Sequence, residues 1–170
     1  IKYGFGRDPN YDEWSDANLR NIELEVRFTP TDQVRLELRY DHQQHFRASD
    51  KSLVSLSRVP RLKVEYQITS SLFLRFVGQY RSLYKDAFRD DSRTNLPIYF
   101  RTSDGDFVRA ESRRRNNIQA DFLLSYRPSP GTVFFVGYGS AMSERNTYRF
   151  QDLTRQSDGF FMKLSYLFRV

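Results

Sequence analysis

Strict alternation of apolar and polar positions is the dominant pattern along the chain. In N-I-E-L-E-V-R-F (residues 21–28), Ile22, Leu24, Val26 and Phe28 fall on one face, while Glu23, Glu25 and Arg27 fall on the other. A helix would scatter these residues around its surface, whereas a strand separates them cleanly. V-R-L-E-L-R-Y-D (residues 34–41) repeats the pattern with Arg35, Glu37, Arg39 and Asp41 on the polar side. R-L-K-V-E-Y-Q-I (residues 61–68) does so with Arg61, Lys63, Glu65 and Gln67. L-F-L-R-F-V-G-Q-Y-R (residues 72–81) carries Arg75 on a mixed second face, and I-Q-A-D-F-L-L-S-Y-R (residues 118–127) carries Asp121. T-V-F-F-V-G-Y-G begins at Thr132 and is apolar on both faces, with Gly137 and Gly139 marking a close contact or bend. F-F-M-K-L-S-Y-L-F closes the series with Lys163 on the polar side, and residues 2–5 read as the stump of one further strand.

The links alternate in length. Residues 29–33, 69–71 and 127–131 are short turns, the last a Pro/Gly turn, while residues 6–20, 45–57, 87–115 and 143–158 are long and polar. Short and long links in strict alternation predict an antiparallel up-and-down sheet with every short turn at one end. Outer-membrane barrels have this asymmetry, with short periplasmic turns and long external loops. The expected fold is therefore an all-β, antiparallel, up-and-down transmembrane β-barrel of about eight strands in this chain, forming part of a larger barrel. Residues 1–170 form one barrel domain with a hairpin-bearing external loop over about 87–115, and the C-terminus is expected on the periplasmic side of a bacterial outer membrane.

Aromatic positions agree with that orientation. Phe28, Tyr66, Tyr126, Tyr166 and Phe168 close the strands running inward, and Tyr40, Tyr80 and Tyr138 lie near the outer ends of those running outward. Two aromatic rows on the apolar face match the girdles at the two membrane interfaces. Aromatic residues make up 16% of the chain, enough to supply both rows.

Composition narrows the classes. No run of 18 apolar residues exists, so a transmembrane helix is excluded, but a barrel exposes only alternate residues to lipid and escapes that test. There is no cysteine, and hence no disulfide framework or thiolate metal site. The formal charge of +6 fits anionic lipid head groups. Arg residues are spread along the whole chain rather than gathered with aromatics on one face, which argues against nucleic acid as a partner. Residues 1–10 lack a charged segment followed by an apolar one, so no signal peptide is read there, and the opening strand stump suggests a fragment. Periodicity alone leaves the inward face open: a soluble ligand-binding β-barrel would reverse the two faces.

The ending G-F-F-M-K-L-S-Y-L-F-R-V resembles the terminal strand recognised by outer-membrane assembly machinery, with Leu164, Tyr166 and Phe168 as the signal. The usual form ends on the aromatic, whereas here Arg169 and Val170 follow Phe168. V-P-R-L-K-V-E-Y-Q-I-T, L-F-L-R-F-V-G-Q-Y, R-D-D-S-R-T, S-P-G-T-V-F-F-V-G-Y-G-S and D-G-F-F-M-K-L-S-Y-L-F-R extend the likeness. Together they resemble the C-terminal barrel part of an uncharacterised bacterial outer-membrane family with an N-terminal carbohydrate-binding-like β-sandwich. The similarity spans residues 18–170. It implies a channel or transport barrel linked to carbohydrate through an upstream domain, with other envelope proteins as further partners. It carries no activity onto particular residues.

Candidate chemistry is concentrated on the charged face. Glu23, Glu25, Arg27, Arg35, Glu37, Arg39, Asp41, Arg61, Lys63, Glu65, Arg75, Asp121 and Lys163 would face a lumen with both signs interleaved. They either fill it as an ion-pair network, leaving a membrane anchor or interaction platform, or line a water-filled passage. His42 and His45, in D-H-Q-Q-H-F, are three apart and so on opposite faces, which disfavours a shared metal. Asp41, His42 and Ser49 are close in sequence, but nucleophile activation requires geometry that sequence does not supply, and no enzyme or catalytic residue is assigned. I-Y-F-R-T-S-D-G-D-F-V-R (residues 98–109) reads as a hairpin around Asp104-Gly105. Asp86, Asp90, Asp91, Asp104 and Asp106 lack calcium-loop spacing, so neither a metal nor a cofactor is assigned. Arg113, Arg114 and Arg115 would sit at the outer rim, either within reach of lipopolysaccharide phosphates or as a solvated basic run.

Overall fold

A computed structural model describes residues 1–167. Phe168, assigned above to an aromatic row and to the assembly signal, lies outside the described residues. The chain folds as β1 (Lys2–Asn10), β2 (Ser15–Thr31), β3 (Val34–Arg47), β4 (Leu53–Gln67), β5 (Leu72–Lys85), β6 (Tyr99–Arg101), β7 (Phe107–Arg109), β8 (Arg113–Ser129), β9 (Thr132–Glu144) and β10 (Thr154–Tyr166). Eight strands make one antiparallel sheet in the order β1-β2-β3-β4-β5-β8-β9-β10, and β6 and β7 form a separate hairpin. No helix of the described residues is long and apolar enough to cross a membrane.

The sheet is open. β1 pairs with β2 and β10 with β9, and the sheet ends at those two strands. No ladder joins β1 to β10 among the described residues, so closure into a barrel is not seen, and β10 is exposed along its whole length. The strands also run further than the apolar stripes suggest. β1 continues to Asn10 and β2 begins at Ser15, so the expected long link over residues 6–20 shrinks to a turn over 11–14. Backbone pairing, which is indifferent to side-chain polarity, carries this extension: Arg7 lies opposite Asn18, and Asp8 opposite Ala17.

Register confirms the two faces. Leu164 lies opposite Phe134, Met162 opposite Val136, and Phe122 opposite Tyr138, so one apolar side continues from strand to strand. On that side Phe28, Leu38, Phe122, Phe160, Met162 and Leu164 are all exposed. Only four apolar residues are buried among those described: Ala17, Val54, Tyr80 and Ala110. Glu13, Arg47 and Asn116 are the largest fully buried side chains. Among the described residues the largest fully buried side chains are thus polar or charged, while many large apolar side chains are exposed.

Two compact units divide the chain. One comprises Ile1–Glu23, Asp41–Arg58 and Ser82–Arg115; the other comprises Leu24–Tyr40, Val59–Arg81 and Asn116–Val170.

Candidate functional site

In the second unit the polar face surrounds a recess of about 700 Å³. Its charged lining is Glu37 from β3, Arg61 and Lys63 from β4, Arg75 from β5 and Asp121 from β8. These are five of the residues expected on the lumen side. The charges are not equivalent. Lys63 Nζ lies 2.9 Å from Glu65 Oε1. Glu37 Oε2 is 3.8 Å from Arg27 Nε, and Arg27 also meets Glu25 at 2.5 Å. Asp121 Oδ2 accepts a hydrogen bond from Gln119 Nε2 at 3.2 Å. Arg61 and Arg75 face the recess without an acidic partner among the described residues. Arg75 also borders a second recess with Arg127, Phe73 and Phe135, and Arg35 borders a smaller one with Glu65. Lys163 lies opposite Phe135.

Two glycines shape this face. Gly137 is the strand partner of Phe161, and a Cβ there would stand 2.0 Å from Cε1 of its ring. At Gly139 a Cβ would stand 2.7 Å from Asp121 Oδ1. The close contact read from the sequence is therefore present: the Phe161 ring and the Asp121 carboxylate lie over bare backbone.

The first unit is organised by a buried guanidinium. Arg47, at the end of β3, donates to Glu13 Oε2 at 2.9 Å through Nε and to Glu13 Oε1 at 2.6 Å through Nη2. Its Nη1 donates to Asp86 Oδ2 and to Ser52 Oγ, each at 2.9 Å, and its Nη2 to the Ala87 carbonyl at 3.0 Å. Glu13 also accepts from Asn10 Nδ2 at 3.0 Å and from the Arg89 backbone N–H at 2.9 Å. One ion cluster thus ties the β1–β2 turn, the β3–β4 turn and the chain leaving β5. Burial raises the Asp86 carboxyl, but hydrogen bonds led by Arg47 outweigh it and hold the group below the usual carboxylate range. The other acids considered for calcium are also engaged. Asp90 caps its own turn through Thr94, Asp91 accepts from Ser49 and Asp104 from Ser103, whereas Asp106 closes the β6–β7 hairpin through its backbone carbonyl, where Gly105 takes φ 92°.

His45 spans three strands. Its Nε2 lies 3.0 Å from Asp8 Oδ2 on β1 and its Nδ1 3.0 Å from Ser55 Oγ on β4. Asp8 reaches His45 across Ala17, its own strand partner on β2, which is 1% exposed. This is a carboxylate–imidazole–hydroxyl string built from residues other than the Asp41, His42 and Ser49 neighbours. Among the described residues, no group of three His, Cys, Asp or Glu side chains could hold a metal ion.

In the second unit Tyr80 departs from its expected place in an exposed aromatic row. It is buried, donates to Glu144 Oε1 at 2.7 Å and stacks on Tyr148 and Phe150 at 4.5 and 5.6 Å between centroids. Glu144 also accepts the backbone N–H groups of Arg149 and Phe150 at 3.2 and 2.9 Å. The Tyr148 N–H donates to the Tyr80 hydroxyl at 3.0 Å, and Tyr148 and Phe150 take φ 62° and 55°, a region that side-chain-bearing residues rarely occupy. The remaining described members of the rows keep surface positions: Phe28, Tyr66, Tyr126, Tyr138 and Tyr166 are exposed and Tyr40 is half-buried. Arg113, Arg114 and Arg115 open β8 at the surface, and the Arg114 guanidinium lies 5.5 Å from the Tyr84 ring centroid.

Arg47, Glu13, Asp8, Ser55 and Glu144 escape sequence reading because their partners lie on other strands and turns. The fold and these sites define an all-β antiparallel sheet with one charged, recessed face and one exposed apolar face. Comparison with family models, curated proteins and solved structures finds no match to this chain.

Proposed function

We propose that the chain is wall and rim of an outer-membrane β-barrel, with its apolar face in lipid and its charged face lining a passage for small polar solutes. The observation that carries this reading is the inverted burial. The four buried apolar residues among those described do not supply the core a water-soluble fold of this length needs, while the exposed apolar stripe runs across successive strands. A bilayer covers such a stripe, and a closed ladder then satisfies the backbone of the edge strands. In this reading the β2–β3, β4–β5 and β8–β9 turns are periplasmic, the links at the other end of the sheet, the β1–β2 and β3–β4 turns among them, are external, and β10 is the segment presented to the assembly machinery through Leu164 and Tyr166.

The recess lined by Arg61 and Arg75 supports a wet lumen, because two unpaired guanidinia require water or a ligand. Carbohydrate enters as a transported class only through the family resemblance. A second reading, a non-conducting anchor or interaction platform, is favoured by the Lys63–Glu65 and Arg27–Glu37 pairs, which show how such a face can be filled. Planar-bilayer recording of the full-length protein decides between them: stable unitary currents are expected, and a folded, inserted protein that never conducts would leave the anchor.

A further inference from the structure

We infer that the outward face of the first unit carries a site for the phosphate of an anionic outer-leaflet lipid, namely the diphosphorylated glycolipid of lipopolysaccharide. The inference rests on the membrane reading above. A recess of about 550 Å³ lies where β1, β2, β3 and the β3–β4 turn meet. Its charged lining is Arg7, Arg20 and Lys51, with no acid among the lining residues. Phe5, Leu19 and Phe46 supply its apolar part.

Register places this recess on the lipid side. Tyr3 is the strand partner of Ile22, Phe5 of Arg20, and Arg7 of Asn18, so Phe5, Arg7, Asn18 and Arg20 share the face of the exposed apolar stripe. Cations on that face are costly in hydrocarbon and favourable where head-group phosphates lie. Arg7 has no acidic partner among the described residues, and Arg20 rests 4.9 Å from the Phe46 ring centroid, which holds it at the recess without neutralising it. Lys51 is held at φ 61° by its turn, its ammonium 3.0 Å from the Ala48 carbonyl.

A second observation points to a missing acceptor. Asn18 Nδ2 is buried, lines the recess and has no hydrogen-bond partner. A buried amide donor left unpaired is costly, and a phosphate oxygen would satisfy it. Two guanidinia, an ammonium and an amide N–H around apolar walls match a phosphate joined to an acyl chain. In the proposed orientation the β3–β4 turn is external, which places the site in the leaflet where this lipid resides. Arg113, Arg114 and Arg115, the basic run first considered for that contact, are exposed at the start of β8.

The test uses the full-length protein in detergent with fluorescently labelled diphosphoryl lipid A, the same lipid after dephosphorylation, and inorganic phosphate as competitor. Saturable binding is expected, weakened tenfold or more by dephosphorylation and by the double substitution Arg7→Gln/Arg20→Gln. Lys51→Glu lies in an exposed turn and tests the same point without touching a strand; it should weaken binding at least fivefold. Arg113→Gln/Arg115→Gln should stay within twofold of wild type. Equal affinity for the dephosphorylated lipid, or unchanged binding in Lys51→Glu, would overturn the assignment. Full competition by millimolar inorganic phosphate would reassign the site to a free anion. Flotation of the protein with neutral phosphatidylcholine vesicles reports separately on the membrane reading. Failure there, with phosphate-dependent binding retained, would sink the barrel and leave the anion site.

Discussion

Arg47 and Glu13 lie 34 residues apart and meet through two parallel hydrogen bonds of 2.9 and 2.6 Å. Both side chains are almost wholly withdrawn from solvent. A fork-to-fork pair of this kind is strong only when every remaining donor is satisfied, and here Ser52, Asp86 and Ala87 take the rest. Removing one partner strands the other. Arg47→Ala should destabilise the folded protein by about 3–5 kcal/mol, the usual cost of leaving a buried charge uncompensated. Urea unfolding in micelles measures it. The double variant Glu13→Gln/Arg47→Met should lose less than the sum of the single losses.

The turns held by this cluster should loosen in acid. The Asp50 carboxyl is drawn down from 3.8 to about 2, first by the Ser52 hydroxyl, 2.6 Å away, and then by the Ser52 N–H. Asp86 is lowered as well. Because both groups bind protons more weakly when folded, their stabilisation is complete above the ordinary carboxylate range. It is lost as pH falls from about 4 towards 2. Trp14, the chain's single tryptophan, neighbours Glu13 and reports the change. Its fluorescence anisotropy should fall over that interval, and Asp50→Asn should shift the transition to higher pH.

Leu164 is 68% exposed on β10 opposite Phe134, at the middle of the proposed lipid-facing stripe. Leu164→Arg should oppose insertion by about 2–4 kcal/mol, the cost of a cation at bilayer mid-depth. The readout is the yield of heat-modifiable, folded protein in vesicles. Lys163→Leu, one residue away on the other face, should insert normally. Equal insertion of Leu164→Arg and wild type would mean that the faces are reversed.

If the recess forms part of a conducting path, Arg61 and Arg75 set its preference for anions. Arg61→Gln/Arg75→Gln should move the reversal potential in a salt gradient towards that of cations. Lys63→Gln, whose charge is already offset by Glu65 at 2.9 Å, should move it less. An unchanged reversal potential in the double variant would remove these arginines from the path.

The strands were legible because period two is written directly in the order of residues, as Ile22–Phe28 and Val34–Tyr40 show. So were the β6–β7 hairpin at Asp104-Gly105 and the need for glycine at 137 and 139. Strand ends were not legible: residues 6–10 and 15–20 pair through their backbones while their side chains resemble those of a loop. The organising groups were hidden for a different reason. Arg47 closes a strand, Glu13 sits in a turn, and the charged partner of each lies 34 residues away. Tyr80 kept the spacing of a surface aromatic, yet Glu144, 64 residues away, draws a loop over it. Closure of the sheet is a property of its edges, and alternation carries no information about them.

The contact between Gly137 and Phe161 has a consequence for assembly. Slipping β10 along β9 by one residue would exchange its faces, which the apolar stripe already forbids. A slip by two keeps the faces, so hydrophobicity alone cannot detect it. Moved one way, however, Phe161 meets the side chain of Phe135; moved the other, it comes to Gly139, where the Asp121 carboxylate already lies. Only one alignment offers the ring an empty seat. The last hairpin therefore carries its own keyway: a terminal strand docked out of frame cannot lie flat, and it stays available for another attempt.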